Sequence, residues 1–397
     1  MAAHGGYERA RGAIIQAALD RFATVTRRPG YRHGRDRVPE PRSDPVAVRM
    51  TPSDARCLDV AVSLPVQDEL AAPDYVRLGE LAEAEGYHTV FFGEIAGGEA
   101  FAVLGAMAQA THRIRLAPGV VSIYTRGPVL TGMAFASLAS LAPGRVAMGL
   151  GTGSHMIVEG WNGRRLHAPL QTMRETVALL RRIVGGERVE ADGPEVVVSP
   201  YRLQMPSPGP VPVIIGPFNP GMTRLAGEIA DGVLLAWSPL DELPGRIELI
   251  REGAVRAGRD PATVEIGLYL QAYAGPRVQE AVERFRRLVL EYAVRPTHRA
   301  AFVGSFPEID RATELWQRGD RAGALALVPD EAVHRLVPIG DAARVVDRLE
   351  EVRALGVTLP VLYAQSLDRG DPASSAGTIA AVAAEYRARA AAEPASG

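Results

Sequence analysis

The chain reads as an α/β protein, a closed parallel (β/α)8 TIM barrel with a helical insertion between its seventh and last strands. Three observations lead to that class. Eight short apolar runs recur between residues 58 and 365. Stretches of helical length separate most of them, the alternation that a parallel sheet requires. The most glycine-rich break, Gly149-Leu-Gly151-Thr-Gly153, falls at the carboxyl end of one run, the end at which such barrels bind ligands. An open doubly wound sheet tolerates the same alternation; eight repeats in about 330 residues favour closure.

The regular part begins with the strand LDVAVSLP at Leu58, a helix over Tyr75–Glu85 and the strand HTVFFGE, which ends at Glu94. A helix over Phe101–Thr111 leads to IRLAPGVVSIYT, the third strand, and Pro128–Leu141 forms the third helix. Proline is at home in a first helical turn, where its missing N–H has no partner to lose. The fourth strand, Arg145–Leu150, alternates Val146, Met148 and Leu150 over small residues before the glycine turn. Pro169 then opens an amphipathic helix to about residue 185, with Leu170, Met173, Val177, Leu180 and Ile183 at helical spacing.

An irregular polar stretch runs from there to about residue 208. The alternation resumes with VPVIIG (211–216), a helix from Gly221, GVLLAW (232–237) and a helix over 240–257. TVEIGLYLQAY (263–273) and LPVLYAQ (359–365) complete the eight, and the last helix spans about 373–392. Residues 276–338 interrupt the rhythm with three helical segments, an insertion able to cover a pocket. The barrel domain is therefore 57–392. Residues 1–56 form an extension in which Arg9–Phe22 has helical periodicity and the next thirty residues, rich in Arg and Pro, have none; residues 393–397 are a fraying tail.

Composition narrows the function. The 397 residues carry a formal net charge of −2, which argues against a dedicated nucleic-acid binder. No lysine is present, so all 44 basic residues are arginine and a Walker-type phosphate loop is excluded. The single Cys57 excludes an internal disulfide framework and multi-Cys metal sites; it reads as a small buried residue at a strand start. No apolar run reaches membrane-span length and no hydrophobic signal core opens the chain, so a soluble cytoplasmic protein is expected.

The chemistry-bearing candidates stand at strand ends. Glu94 follows an apolar run and precedes a glycine-rich loop, where a carboxylate can accept a hydrogen bond or relay a proton; it can equally cap a helix. His155 follows the glycine turn and could be a general acid, or could bond a loop carbonyl. No metal-ligand spacing and no GxSxG elbow occur. The glycine turn lacks the third-Gly placement of a dinucleotide fingerprint. Trp161 in VEGWNG reads as a packing anchor.

Three stretches, GVVSIYTRGPVLTGMAFASLASLAPGRVAMGLGTGSH, VEGWNG and VIIGPFNPGMTRLAGEIADGVLL, resemble the bacterial luciferase-like superfamily. The resemblance is to its coenzyme F420 (deazaflavin) branch, which includes methylenetetrahydromethanopterin reductase, and it covers most of residues 58–270. It implies a (β/α)8 barrel, commonly a homodimer, acting on a small-molecule substrate. It also implies a non-prolyl cis peptide at Gly119-Val120 behind the cofactor ring, with Glu94 near that ring. Thr152, Gly153 and Ser154 would border the ribityl chain or the substrate, and Gly216, Pro217 and Phe218 would offer backbone amides to the phosphate or side chain.

The sequence departs from the sugar-phosphate dehydrogenases of the branch. They use lysines, absent here, and a carboxylate after the Gly-Thr-Gly turn, where this chain has Ser154. The resemblance weakens in the insertion. The reading is hydride transfer between deazaflavin and a C=C or C=N bond, with the proton from Glu94, His155 or water. The alternatives are an FMN-dependent monooxygenase and a non-catalytic flavin-binding or scaffold barrel. The acidic tail of the deazaflavin would suit Arg126, Arg164 and Arg165.

Overall fold

A computed structural model describes residues 57–295 and 306–392. The expected 1–56 extension and the 393–397 tail lie outside the described residues. Eight parallel strands form the barrel: β1 (Leu58–Ser63), β2 (Tyr87–Phe92), β3 with β4 (Arg115–Pro118, Val121–Ser122), β5 (Met148–Gly151), β8 (Val213–Ile215), β9 (Gly232–Leu235), β10 (Glu265–Ala274) and β12 (Leu359–Ala364). Their order is β3-β2-β1-β12-β10-β9-β8-β5-β4. The expected third strand is one strand broken at Gly119-Val120, whose first half pairs with β2 and whose second half pairs with β5. Closure comes from Leu116, which donates to Arg145 O (2.7 Å) and accepts from Ala147 N (3.1 Å).

Alternation along β10 shows why the strands are buried on both faces. Ile266, Leu268, Leu270 and Ala272 point outward into the shell between strands and helices. Tyr269 points inward, against a barrel interior of Ala61, Phe91, Ala117, Ala147, Ile214, Leu234, Leu359 and Val361. The amino end is closed by Arg115, which reaches from the start of β3 to Glu265 at the start of β10 (2.6 Å) and to Thr89 (2.9 Å). The open end is the carboxyl one.

The surrounding helices are α1 (Ala72–Ala84), α2 (Ala100–Ala110), α3 (Pro128–Leu141), α4 (Pro169–Val184), α5 (Pro220–Ile229), α6 (Leu243–Arg256), α11 (Ala342–Ala354) and α12 (Ala373–Ala392). Among the described residues the insertion has α7 (Val278–Ala293), α8 (Pro307–Gln317), α9 (Arg321–Leu327) and α10 (Asp330–Leu336), packed on a second core with Phe285, Val289, Ile309 and Val333 that Trp237 and Tyr273 join from the barrel. A two-residue strand, β11 (Ile339–Gly340), pairs with the end of β10 and returns the chain to the barrel.

Two expectations are corrected. The stretch after α4 is an antiparallel hairpin, β6 (Arg188–Asp192) with β7 (Val197–Arg202). Only one face is buried: Val189, Val196 and Val198 pack on Leu179 and Ile183 while Val197 faces solvent. Cys57 is exposed, one residue ahead of β1.

Candidate active site

Where the strands end, a cavity opens between Val66, Gly93, Ile95 and Gly119 on one side and Phe218, Ala236, Trp237 and Tyr292 on the other. Tyr269, Gln271 and Tyr363 complete its lining. The strand order sets Gly93, after β2, across the barrel from Trp237, after β9. Among the described residues no charged side chain lines it.

The first side is made by leaving side chains out. The Gly119-Val120 peptide is cis, as the resemblance implied. A Cβ on Gly119 would fall 1.9 Å from the Tyr269 hydroxyl, which donates to Gly119 O at 2.9 Å. Val120 is packed against Gly151 and Gly216, where added Cβ atoms would approach it to 2.4 and 3.1 Å. Burial pushes the phenols of Tyr269, Tyr292 and Tyr363 upward, so all three keep their proton near neutrality.

Gly93 and Ile95 line the cavity, but the carboxylate of Glu94 between them turns to Arg126. The guanidinium grips both oxygens, one at 2.7 Å, and also pairs with Glu99. Glu94 additionally accepts from Ala100 N (3.3 Å) at the start of α2. Arg126 lies over the Phe101 ring (5.2 Å), and its pairing with Glu94 holds its pKa above the usual arginine value. Two carboxylates thus engage the arginine that was expected to suit an acidic cofactor tail.

The glycine turn leads into a single π-helical turn, Met156–Trp161, a form frequent at functional sites. Gly153 has φ +73°, a conformation that only glycine adopts cheaply. Ser122 Oγ donates to Thr152 O (3.0 Å), and Ser154 Oγ accepts from Ile157 N (3.3 Å). His155 is 63% exposed and pairs with Glu159 (3.1 Å) outside the cavity. Trp161, at the end of that turn, is 52% exposed. The structure therefore does not bring Glu94 and His155 together.

The amides at β8 also differ from expectation. Gly216 N donates to Leu150 O (2.9 Å) within the sheet, and Pro217 has no amide hydrogen. Phe218 does line the cavity. Asn219 caps α5 through Met222 N (2.9 Å).

On the second side Phe218 and Trp237 stand at strand ends, where the sequence places ligand-facing groups, whereas Tyr292 was missed. Trp237 has φ +48°, a strained value for a bulky residue, and its ring lies 4.6 Å from that of Tyr292 on α7. Arg246 on α6 braces this strand end, donating through Nη1 to Ala236 O (3.0 Å) and Ser238 Oγ; its Nη2 is buried with no hydrogen-bond partner among the described residues. The insertion is fastened by Asp68, 1% exposed, which accepts from Arg284 of α7 (2.5 Å) and from Ser366 N (2.8 Å). Inward alternation of Tyr269 and Gln271 was a readable signal; Tyr292, on an amphipathic helix, gave none.

Fold and cavity together define a class: a (β/α)8 barrel with a ligand pocket at its strand carboxyl ends, partly walled by an insertion. The chain belongs to the luciferase-like monooxygenase family, whose pattern matches residues 58–359. It is 32% identical to the 5,10-methylenetetrahydromethanopterin reductase of Methanolobus tindarius over 48% of this chain and 58% of that one. It is 30% identical to the F420-dependent glucose-6-phosphate dehydrogenase of Beutenbergia cavernae over 55% of this chain and 69% of that one. Its fold superposes on the coenzyme F420-dependent tetrahydromethanopterin reductase of Methanopyrus kandleri with a TM-score of 0.70, covering 82% of this chain and 98% of that one at 24% identity. Among the described residues, no helix is long and apolar enough to cross a membrane, and no group of three or more His, Cys, Asp or Glu could hold a metal ion.

Proposed function

We propose that this chain is a coenzyme F420-dependent oxidoreductase, moving a hydride between the deazaflavin and a small organic substrate at a C=C or C=N bond. The observation that carries the reading is a cavity whose described lining residues carry no charge and which has bare backbone at Gly93 and Gly119, a surface suited to an apolar ring system. The names of the relatives support the choice of cofactor. The deazaflavin, when bound, supplies or accepts the hydride. Gly93, Gly119, Val120 and Phe218 would hold its ring side, and Thr152, Gly153 and Ser154 its chain. Glu94 is the nearer acid–base candidate, but its grip on Arg126 suits it to fixing the cavity edge; His155 would need a change of position to reach the cavity. The tyrosine hydroxyls and the Gln271 amide are the polar groups within reach of a substrate.

The test is binding of deazaflavin and of FMN to the purified chain, followed by fluorescence quenching and calorimetry. Deazaflavin binding without FMN binding is expected. FMN binding alone would move the chain to an FMN-dependent monooxygenase, and binding of neither would leave a scaffold.

We also propose that the working form is a homodimer. The adjacent helices α2 and α3, AFAVLGAMAQA and PVLTGMAFASLASL, contain no charged residue, yet Leu130, Met133 and Leu141 are exposed. A helix apolar all round is normally covered, and a second copy of this chain is the partner proposed here. Sedimentation should give a dimer, and Met133→Lys should give a monomer; a monomeric parent chain would end the proposal.

A further inference from the structure

We infer that the wall formed by Trp237 and Tyr292 selects an uncharged, planar, largely apolar substrate. This deepens the function proposed above and rests on it only for the identity of the reaction. Two aromatic rings from separate parts of the fold meet there: Trp237 from the end of β9 and Tyr292 from the insertion, 4.6 Å apart. Both line the cavity on the side away from Gly119, together with Phe218, and Tyr363 also lines it. Aromatic faces bind flat apolar or conjugated groups through dispersion and through the ring quadrupole.

The charges around the mouth are engaged elsewhere. Arg126 is held by Glu94 and Glu99, and Arg284 by Asp68. Arg295 sits over the Tyr292 ring (4.5 Å) and lies outside the lining. Arg246 faces the back of Ala236 and Ser238 through Nη1. A carboxylate or phosphate entering the cavity would lose its hydration and meet no cation among the described lining residues. A neutral carbonyl meets the Gln271 amide. That amide is held in place by the buried Gln365, whose Nε2 donates to Gln271 Oε1 (2.7 Å), leaving the Gln271 nitrogen as the donor end.

The wall is also rigid. Trp237 occupies a left-handed backbone conformation between two residues that Arg246 clamps, and α7 is fastened through Arg284 to the buried Asp68. An aromatic pair fixed from behind loses little freedom when a flat ligand docks.

The experiment compares methyl cinnamate with cinnamate, the same conjugated ring without and with a charge, and adds glucose 6-phosphate as a charged nonplanar control. Binding is read by quenching of Trp237 fluorescence in a chain carrying Trp161→Phe and Trp316→Phe, with and without deazaflavin. Methyl cinnamate is expected to bind at least tenfold more tightly than cinnamate, and glucose 6-phosphate not at all. Trp237→Leu, read by calorimetry, and Tyr292→Leu should each weaken methyl cinnamate about tenfold, more than they weaken deazaflavin, while Trp237→Phe, which keeps a ring, retains most of the affinity. Cinnamate bound more tightly than its ester, with that preference lost in Arg246→Gln, would overturn the inference and make the buried Nη2 an anion receptor. Methyl cinnamate selectivity that persists in a chain unable to bind deazaflavin would uphold the wall and remove the cofactor reading. Selectivity for cinnamate in a chain that binds deazaflavin would do the reverse.

Discussion

The two walls of the cavity are built by opposite means. On the β2–β3 side, side chains are absent: Gly93 and Gly119 expose backbone, and Gly151 and Gly216 let Val120 settle between neighbouring strands. On the β9 side, side chains are crowded in: Phe218, Trp237 and Tyr292 come from two barrel loops and an inserted helix. The bare wall is held by backbone hydrogen bonds of the barrel itself. The aromatic wall depends on long-range tethers, Arg246 to Ala236 and Ser238, and Arg284 to Asp68. The difference teaches where each wall should fail: the first by adding a single methyl group, the second by cutting a tether far from the rings.

Cutting the tether carries the largest expected effect. Arg284→Met leaves Asp68 buried without its cation, which should cost about 3 kcal/mol near pH 7, the backbone N–H of Ser366 still serving the other oxygen. Burial raises the Asp68 pKa even in the parent chain, against the opposing pull of Arg284. A raised folded-state pKa means stability that is present at low pH and is lost as pH rises through that pKa. Removing the arginine raises it further, so the deficit should be greatest at pH 7–8 and shrink towards pH 4–5. Urea unfolding across that range checks the sign; a deficit that grows on acidification would show that the ion pair is not what fastens α7.

Adding a methyl group to the bare wall is the next effect. Gly119→Ala places its Cβ 1.9 Å from the Tyr269 hydroxyl, an overpacking expected to cost about 1–3 kcal/mol and to weaken deazaflavin binding. The obstacle is one oxygen atom, so Tyr269→Phe in the same chain should recover part of the loss. Tyr269→Phe alone should be destabilising by about 1 kcal/mol, because Gly119 O loses its donor. A double-mutant cycle by thermal unfolding measures the coupling. Strict additivity would mean that the two residues do not meet as described.

The same contrast explains what the sequence could show. Barrel strands read well because both faces are buried, so LDVAVS and EIGLYLQAYA announce themselves by apolar content alone. The hairpin over 188–202 did not: one face lies in solvent, Val189 stands between Arg188 and Glu190, and the short run Val196–Val198 is cut off by Pro200, although Asp192-Gly193 was a usable turn signal. Glu94 was legible as a polar residue at a strand end, but its partner Arg126 stands 32 residues away and only the closed barrel sets them side by side. Tyr292 lies on a helix whose periodicity locates its buried face and says nothing of what that face meets. Both walls draw on distant segments; what could be read were the residues at strand ends, Gly93, Gly119, Phe218 and Trp237, and what could not was Tyr292, which the insertion brings in.

The smallest effect bears on the glycine turn, which belongs to the bare wall in sequence but sits at its margin in space. Ser154 is the first side chain after Gly153, and its Oγ accepts from Ile157 N at the entry to the π-helical turn. If it is a cap alone, Ser154→Ala should cost about 0.5–1 kcal/mol and leave deazaflavin affinity where it was. If the hydroxyl also borders the cofactor chain, affinity should fall several-fold beyond what the stability loss explains. Ser154→Asp separates the two, since a carboxylate caps the turn at least as well but adds a charge. Stability kept with cofactor affinity lost would make this position part of the ligand edge, whereas both kept would confine the edge to Gly93 and Gly119.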